Sequence, residues 1–503
     1  MTPCAPCAPT REATKHIYFS ATKGLCSVCK RQVEGKVQFR GDAVWLQKFC
    51  PEHGRQEALV ASSVDWYLDA LSFVAPSRPP KTVKKDVEHG CPHDCGPCAS
   101  HQQKVYLPVI PITSQCNLDC PICYTINKND DAFHLSPARF AQVLEHLKRD
   151  HEELDIINFT GGEPTMHPQL LELLRQARDA GIRRLTISTN GLKLLDEDYV
   201  RALASVDARV ILSLDTFDPE VDKALLGANT IHVKKKVLDH CLAHDVTCTI
   251  LPAVAAGLND KDVGPLFDLV LERRNIVSLE LHTLTFTGEN GSAFERSSRI
   301  TTPDLHRALE VHTRGRLSPR DFVPSPLAHP HCYSIAYLLM LDDGGFVPFA
   351  RLMPRAKLFE LLGDTLYIEP GPRIDEAFRD IIDDLWGDPD KLPESEAVLR
   401  TLKRLLRELF PPEPLPLSQQ RKVAERSVKA VYIHSHMDEE NFDVSRIMKC
   451  CVGVPEADGT NIPTCSYNVL YREKDRRFTT EAQESRMATT RRSLPILNAP
   501  EAR

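Results

Sequence analysis

The sequence predicts an α/β protein, a partial (β/α)6 parallel barrel with cysteine-rich, metal-binding N-terminal and C-terminal extensions. Three observations predict it. The central third alternates short apolar runs with longer amphipathic stretches, which is how parallel βα units read in sequence. Cysteines grouped with Gly, Pro and His lie to either side of that core. With 42% hydrophobic residues over 503 positions, the chain can bury a sizeable core in two to four domains.

Six strands are expected at 105–113, 154–159, 184–188, 209–214, 247–254 and 277–283. The clearest intervening helix begins at Ser136-Pro137, where serine can cap and proline suits the first helical position. Others are expected near 168–181, 230–244 and 262–274. Six units with right-handed crossovers fit a curved sheet closing part of a barrel, although an open doubly wound sheet has the same alternation. Spacing alone does not choose between them.

Around this core the expected organisation is a tail over 1–20, a zinc or rubredoxin-like metal knuckle over 21–75, and an auxiliary cluster segment over 76–104. The barrel follows over 105–325, then a C-terminal auxiliary cluster domain over 326–475 and a second tail over 476–503. Pro76 to Pro80 and Pro411 to Pro416 read as linkers.

A net charge of -7 gives no footing for general nucleic-acid binding, which needs a basic surface. The first ten residues lack the apolar core of a secretory signal. The longest apolar run, Ile335 to Leu341, is too short to cross a bilayer. A cytoplasmic location is therefore expected. Seventeen cysteines in such a chain point to metal binding or catalysis rather than disulfides. Cys241 and Cys248 sit among apolar neighbours and read as core residues.

Cys116-x-x-x-Cys120-x-x-Cys123 directly follows the first expected barrel strand, so three thiolates project from one loop at the carboxyl end of the sheet. Three cysteines can hold three irons of a [4Fe–4S] cube and leave the fourth open to a small molecule. Zinc is the alternative, but it needs a fourth ligand that this loop does not obviously supply. Thr160-Gly161-Gly162-Glu163-Pro164 follows the second strand. Its glycines permit close backbone approach and its carboxylate can pair with an ammonium.

Together, this triad and turn resemble the radical S-adenosylmethionine superfamily over roughly residues 105–285. The resemblance implies that Tyr124 lies beside the adenine, and that Gly161, Gly162 and Glu163 hold the methionine amino group. It places Ser188, Asn190 and Asp215, at the ends of the third and fourth strands, against ribose or the methionine carboxylate. It also implies reductive cleavage of S-adenosylmethionine to a 5′-deoxyadenosyl radical, with ferredoxin or flavodoxin as electron donor.

Cys26, Cys29, Cys50 and His53 have the spacing of one tetrahedral zinc or iron site; without His53, a three-cysteine site needing an outside ligand remains. Cys91, Cys95 and Cys98 form a second triad, and Cys332, Cys450, Cys451 and Cys465 add four late thiols. These seven allow two auxiliary clusters, or one complete cluster with spare thiols. Cys4 and Cys7 lie in the tail and read as unstructured.

This ordering resembles, over about 20–475, the group containing archaeal tetraether lipid synthases and 7,8-dihydro-6-hydroxymethylpterin methyltransferases. His53 departs from a rubredoxin-like site, which would carry a fourth cysteine. The expected activity is carbon–carbon bond formation on a lipid or similar apolar substrate. Alternatives are C-methylation of a pterin, peptide modification, and a non-enzymatic zinc scaffold. A lipid substrate needs an apolar tunnel or membrane contact, and residues 397–410 offer an amphipathic face that can lie at a membrane surface.

Overall fold

The computed structural model describes residues 16–478, apart from 126, 152–153, 289–293, 364 and 366. Cys4, Cys7 and the C-terminal tail beyond 478 lie outside the described residues. Four strands, β1 (Ile17–Leu25), β2 (Gln32–Arg40), β3 (Ala43–Cys50) and β4 (Gly54–Ala61), form an antiparallel meander. Pairing starts at Ile17 opposite Phe39, so the end of the stretch expected as tail is strand. Its anchor is aromatic: Phe19 stacks on Phe39 at 4.8 Å and meets the Tyr67 edge at 5.8 Å.

The catalytic layer is built from β5 (Leu107–Thr113), β6 (Ile156–Gly161), β7 (Arg184–Thr189), β8 (Ala208–Leu212), β9 (Cys248–Ile250), β10 (Ala253–Val254) and β11 (Ile276–Thr283). The fifth expected strand is split because Pro252, which has no N–H to donate, falls between β9 and β10. Strands β5, β6, β7, β8, β9 and β11 lie side by side in chain order, each pair parallel. A doubly wound sheet reverses its order part-way. Consecutive order with right-handed crossovers puts every helix on the same face, and this is the partial barrel.

Period-two alternation makes the two faces differ. Ile157, Phe159, Leu185, Ile187, Leu279 and Leu281 are buried in the outer helical layer. Their neighbours Asn158, Thr186, Ser188, Glu280 and His282 face the central cavity.

Residues beyond 325 do not form a separate domain as expected, because their strands complete the barrel sheet. After β12 (Val323–Pro324) come β13 (Tyr333–Met340), β14 (Phe346–Pro348), β15 (Val428–His434), β16 (Val452–Pro455) and β17 (Asn461–Pro463). Strand β15 pairs in parallel with β11 on one edge, and β16 pairs in parallel with β5 on the other. Both open edges of the half-barrel are thereby covered.

The amphipathic segment expected to suit a membrane surface is the helix Ser395–Leu409. Its Val398, Leu402, Leu405 and Leu409 are fully buried in a second core, packed with the helices Pro372–Gly387 and Leu417–Ser427. That face is already used and is not free for a bilayer. Among the described residues no helix is long and apolar enough to cross a membrane.

At the amino end of the strands a charge network closes the barrel floor. Arg184, 1% exposed, pairs with Asp155, Glu369 and Glu425, and its guanidinium lies 4.3 Å from the Tyr367 ring centre. Arg209 reaches Glu425 at 2.7 Å and Arg421 reaches Glu369 at 2.9 Å. Burial opposes the Arg184 charge, but the three carboxylates hold its pKa above the ordinary value. Arg184→Ala would leave buried carboxylates without their partner, so a loss of about 3–5 kcal/mol is expected in urea unfolding.

Candidate active site

The cysteine loop leaves β5 at Thr113 and returns toward the helix Pro137–Asp150, which Ser136 caps through Arg139 N–H. Asn129 Oδ1 accepts from Cys116 N–H at 3.0 Å, and Ser114 Oγ accepts from Phe133 N–H at 2.9 Å. Cys116, Cys120 and Cys123 all line one cavity of about 320 Å³ at the carboxyl ends of the strands. Burial raises all three thiols, Cys116 to about 12. A protein environment that disfavours thiolates needs a cation to hold them as thiolates, and an iron cluster supplies it. The donor set therefore fits a [4Fe–4S] cluster with an open iron.

The glycine turn after β6 is clamped to this loop. Gly162 N–H donates to Thr113 O and Glu163 N–H to Gln115 O, both at 2.7 Å. Gly161 has φ 142°, and a Cβ there would meet Thr113 O at 2.1 Å; at Gly162 it would meet Gln115 O at 2.3 Å. Neither position admits a side chain without moving the backbone that leads into Cys116.

Glu163, 2% exposed, lines the cavity. Its Oε1 accepts from Thr165 N–H, the Thr165 hydroxyl and the Thr189 hydroxyl, and its Oε2 accepts from Asn190 N–H. Burial pushes its pKa up while these donors pull it down. Oε2, with a single donor, keeps capacity for an ammonium.

Ser188 hydrogen-bonds Asn158 at 3.1 Å inside the barrel, and Asn190 Nδ2 donates to Asn117 Oδ1 at 2.7 Å, tying the third strand to the cysteine loop. Asp215 accepts from Ala253 N–H at 2.8 Å, and burial raises its pKa. Tyr124 lines the cavity with the Arg472 guanidinium 5.3 Å from its ring centre. All the expected cofactor contacts thus border one cavity.

Sequence reasoning missed Lys234. It is fully buried, lines the cavity, and its Nζ has no hydrogen-bond partner, the Asp222 carboxylate standing 3.9 Å away. A signal existed: it occupies the buried stripe of the helix Ile231–Ala243 with Ile231, Leu238 and Cys241, where an apolar residue belongs. An ammonium near Asp222 and Asp215 that makes no hydrogen bond of its own suits an incoming carboxylate. Glu280, His282, Tyr333, His434 and His436 were missed as well, and all line the cavity.

The remaining thiols divide cleanly. Cys332, Cys450, Cys451 and Cys465 line one small cavity, while Cys91, Cys95 and Cys98 line another with Asp94 and His101. Four donors can satisfy a complete cluster and three leave one iron open. In the ribbon, the ligand atoms of Cys26, Cys29, Cys50 and His53 all lie within 4.8 Å of one another, as a single ion requires. Burial acts to raise Cys26, but the Cys29 and Val28 backbone groups and the Gln56 amide outweigh it and bring its pKa to about 6.

Residues 110–270 match the family model for the radical SAM superfamily, and residues 18–62 match that for the HMPTM N-terminal zinc ribbon domain. A 7,8-dihydro-6-hydroxymethylpterin dimethyltransferase of Methanocaldococcus jannaschii is 27% identical over 90% of this chain and 94% of its own. A probable GTP 3′,8-cyclase of Methanococcus aeolicus is 31% identical over 32% of this chain and 55% of its own. Among solved structures, Streptococcus suis SuiB bound to S-adenosylmethionine aligns over 42% of this chain and 47% of its own, with 22% identity and a TM-score of 0.36. The chain thus spans about half the length of that cyclase and of that solved protein.

Two outcomes test the site. Gly162→Ala is expected to weaken S-adenosylmethionine binding at least about tenfold by equilibrium dialysis, because it displaces the loop holding Cys116. Lys234→Met is expected to weaken it by about tenfold through loss of one charge-assisted contact, and to lower stability in urea unfolding because buried Asp222 loses its partner.

Proposed function

We propose that this radical SAM enzyme, whose cofactors are S-adenosylmethionine and a [4Fe–4S] cluster, methylates a carbon of a pterin-like nitrogen heterocycle. The observation that carries the proposal is the shape and lining of the cavity. Asn158, Thr186, Ser188, Glu280 and His282 put polar groups on its wall, and the charged network of Arg184 and Glu369 lies at the amino ends of the strands. The sequence favoured a lipid, which would need a long apolar tunnel; here Asn158, Ser188 and Glu280 stand among the apolar residues of the cavity wall. The relative at 27% identity is named for a pterin substrate, which supports the same reading.

The walls differ in a way that suits a flat, polar-edged ring. Leu107, Val109 and Val452 provide apolar surface, while Asn158, beside Val109 on the next strand, provides donors and acceptors together with Ser188 and Glu280. Tyr333 stacks on His434 with centroids 3.8 Å apart, and both rings border the cavity. In this reading the polar strands read the ring edge, the apolar side packs on its face, and the two together keep water from the reacting carbon. When bound, the cluster and S-adenosylmethionine supply the one-electron chemistry that removes a carbon-bound hydrogen. A reduced ferredoxin or flavodoxin supplies the electron.

Anaerobically reconstituted enzyme, given S-adenosylmethionine, reductant and 6-hydroxymethyl-7,8-dihydropterin, is expected to release 5′-deoxyadenosine in a pterin-dependent manner, with a methylated pterin detectable by mass spectrometry once a competent methyl donor is present. Asn158→Leu is expected to lower kcat/KM about tenfold or more, since it leaves the ring edge unpaired. Release stimulated by an ether lipid and unaffected by the pterin would overturn the proposal.

A further inference from the structure

We propose that His282, His434 and His436 bind one divalent transition-metal ion, zinc or ferrous iron, on the wall of the active-site cavity. Two of the three imidazoles come from adjacent parallel strands and the third from the segment that follows β15. His282 of β11 and His434 at the end of β15 are direct cross-strand partners, and His436 follows two residues later on the same side. Their donor nitrogens all lie within 4.8 Å of one another. The ring centroids are 5.1 Å apart for His282 and His434, 4.8 Å for His282 and His436, and 3.8 Å for His434 and His436. Side-chain rotations are enough to bring such a set onto one ion at the usual nitrogen distance of about 2.0–2.1 Å.

The surroundings are those of a ligand set. His282 Nε2 donates to Glu280 Oε1 at 2.9 Å, which holds the ring in one orientation and leaves Nδ1 as the ligating atom. The same carboxylate lies 4.0 Å from His434 Nδ1, so one negative charge sits behind two of the three rings. Tyr333 stacks on His434 and fixes its plane. His436 Nδ1 faces Cys465 Sγ at 3.8 Å, which leaves Nε2 for the ion.

Nitrogen-only donors favour a borderline ion over an iron–sulfur cluster, which separates this site from the thiol sets. Three protein ligands leave at least one coordination position, and all three rings line the cavity. Resting on the heterocycle reading above, two open positions of a five-coordinate ion would take the carbonyl oxygen and the neighbouring ring nitrogen of the substrate, a bidentate pair that carbon chains lack.

The test is metal content of the anaerobically isolated full-length holoenzyme after incubation with Zn²⁺ or Fe²⁺, with anomalous maps collected at the zinc and iron edges. Wild type is expected to hold one more divalent ion than the His282→Asn/His434→Asn variant, with ribbon and cluster metal equal in both, and to give a peak among the three rings. Equal metal content in a folded variant, or no peak there in wild type, overturns the proposal. Should the variant fail to fold, the wild-type map alone decides. Fluorescence titration of the pterin into metal-loaded wild type separates the two readings: a peak without pterin binding sinks the substrate assignment and leaves the metal site standing.

Discussion

The contact on which the site depends is the backbone clamp between two loops at the carboxyl end of the sheet. Gly161 and Gly162 let the turn after β6 come within hydrogen-bonding distance of residues 113–115, immediately before Cys116. Glu163, stapled by Thr165, Thr189 and Asn190, then stands at a set position relative to the cysteine triad. Without the clamp, the thiols and the carboxylate would sit on two independently moving loops. With it, an amino acid held between them meets both at once, which is the preorganisation that chemistry on a bound cofactor requires.

A half-barrel has two exposed edges, and the way the chain covers them decides what surrounds the substrate. After β15 extends one edge, residues 435–451 cross to the other, where β16 pairs with β5. That crossing carries His436, Met437, Cys450 and Cys451. As a result the four-thiol pocket and the catalytic cavity share a wall: Tyr333, His434, Met437 and Val452 line both. An auxiliary centre placed there is within one layer of side chains of the substrate. The same crossing receives the zinc ribbon, since buried Lys48 donates to Leu25 O within the ribbon and to Glu439 O across the interface. Burial brings that lysine down to about 8. Lys48 thereby ties the ribbon to the segment that closes the barrel.

The polar barrel interior has a cost that the floor network offsets. Asn158, Thr186 and Ser188 satisfy one another. Below them Arg184 and Arg209 neutralise Asp155, Glu369 and Glu425. Stripping water from these groups is repaid only by a ligand that replaces their hydrogen bonds.

The strand periodicity, the cysteine triad and the Gly-Gly-Glu turn were readable because each is local: a few consecutive residues set the backbone and carry the chemistry. The α/β alternation, the metal knuckle and the expected cofactor contacts follow from such short patterns, while the choice of a partial barrel over a doubly wound sheet needed the strand order. The polar wall and the histidine triad were not readable, because His282 and His434 become neighbours only through pairing of strands some 150 residues apart. Lys234 was visible only as an anomaly within an apolar stripe. The helix Ser395–Leu409 shows the reverse error: its amphipathic pattern is real, but what its apolar face meets, protein core or membrane, is a property of its neighbours. The sequence by itself determined the fold class and the cofactor chemistry, which depend on near neighbours in the chain. Only the tertiary structure decided the substrate cavity, because its walls are assembled from strand ends that long-range pairing brings together.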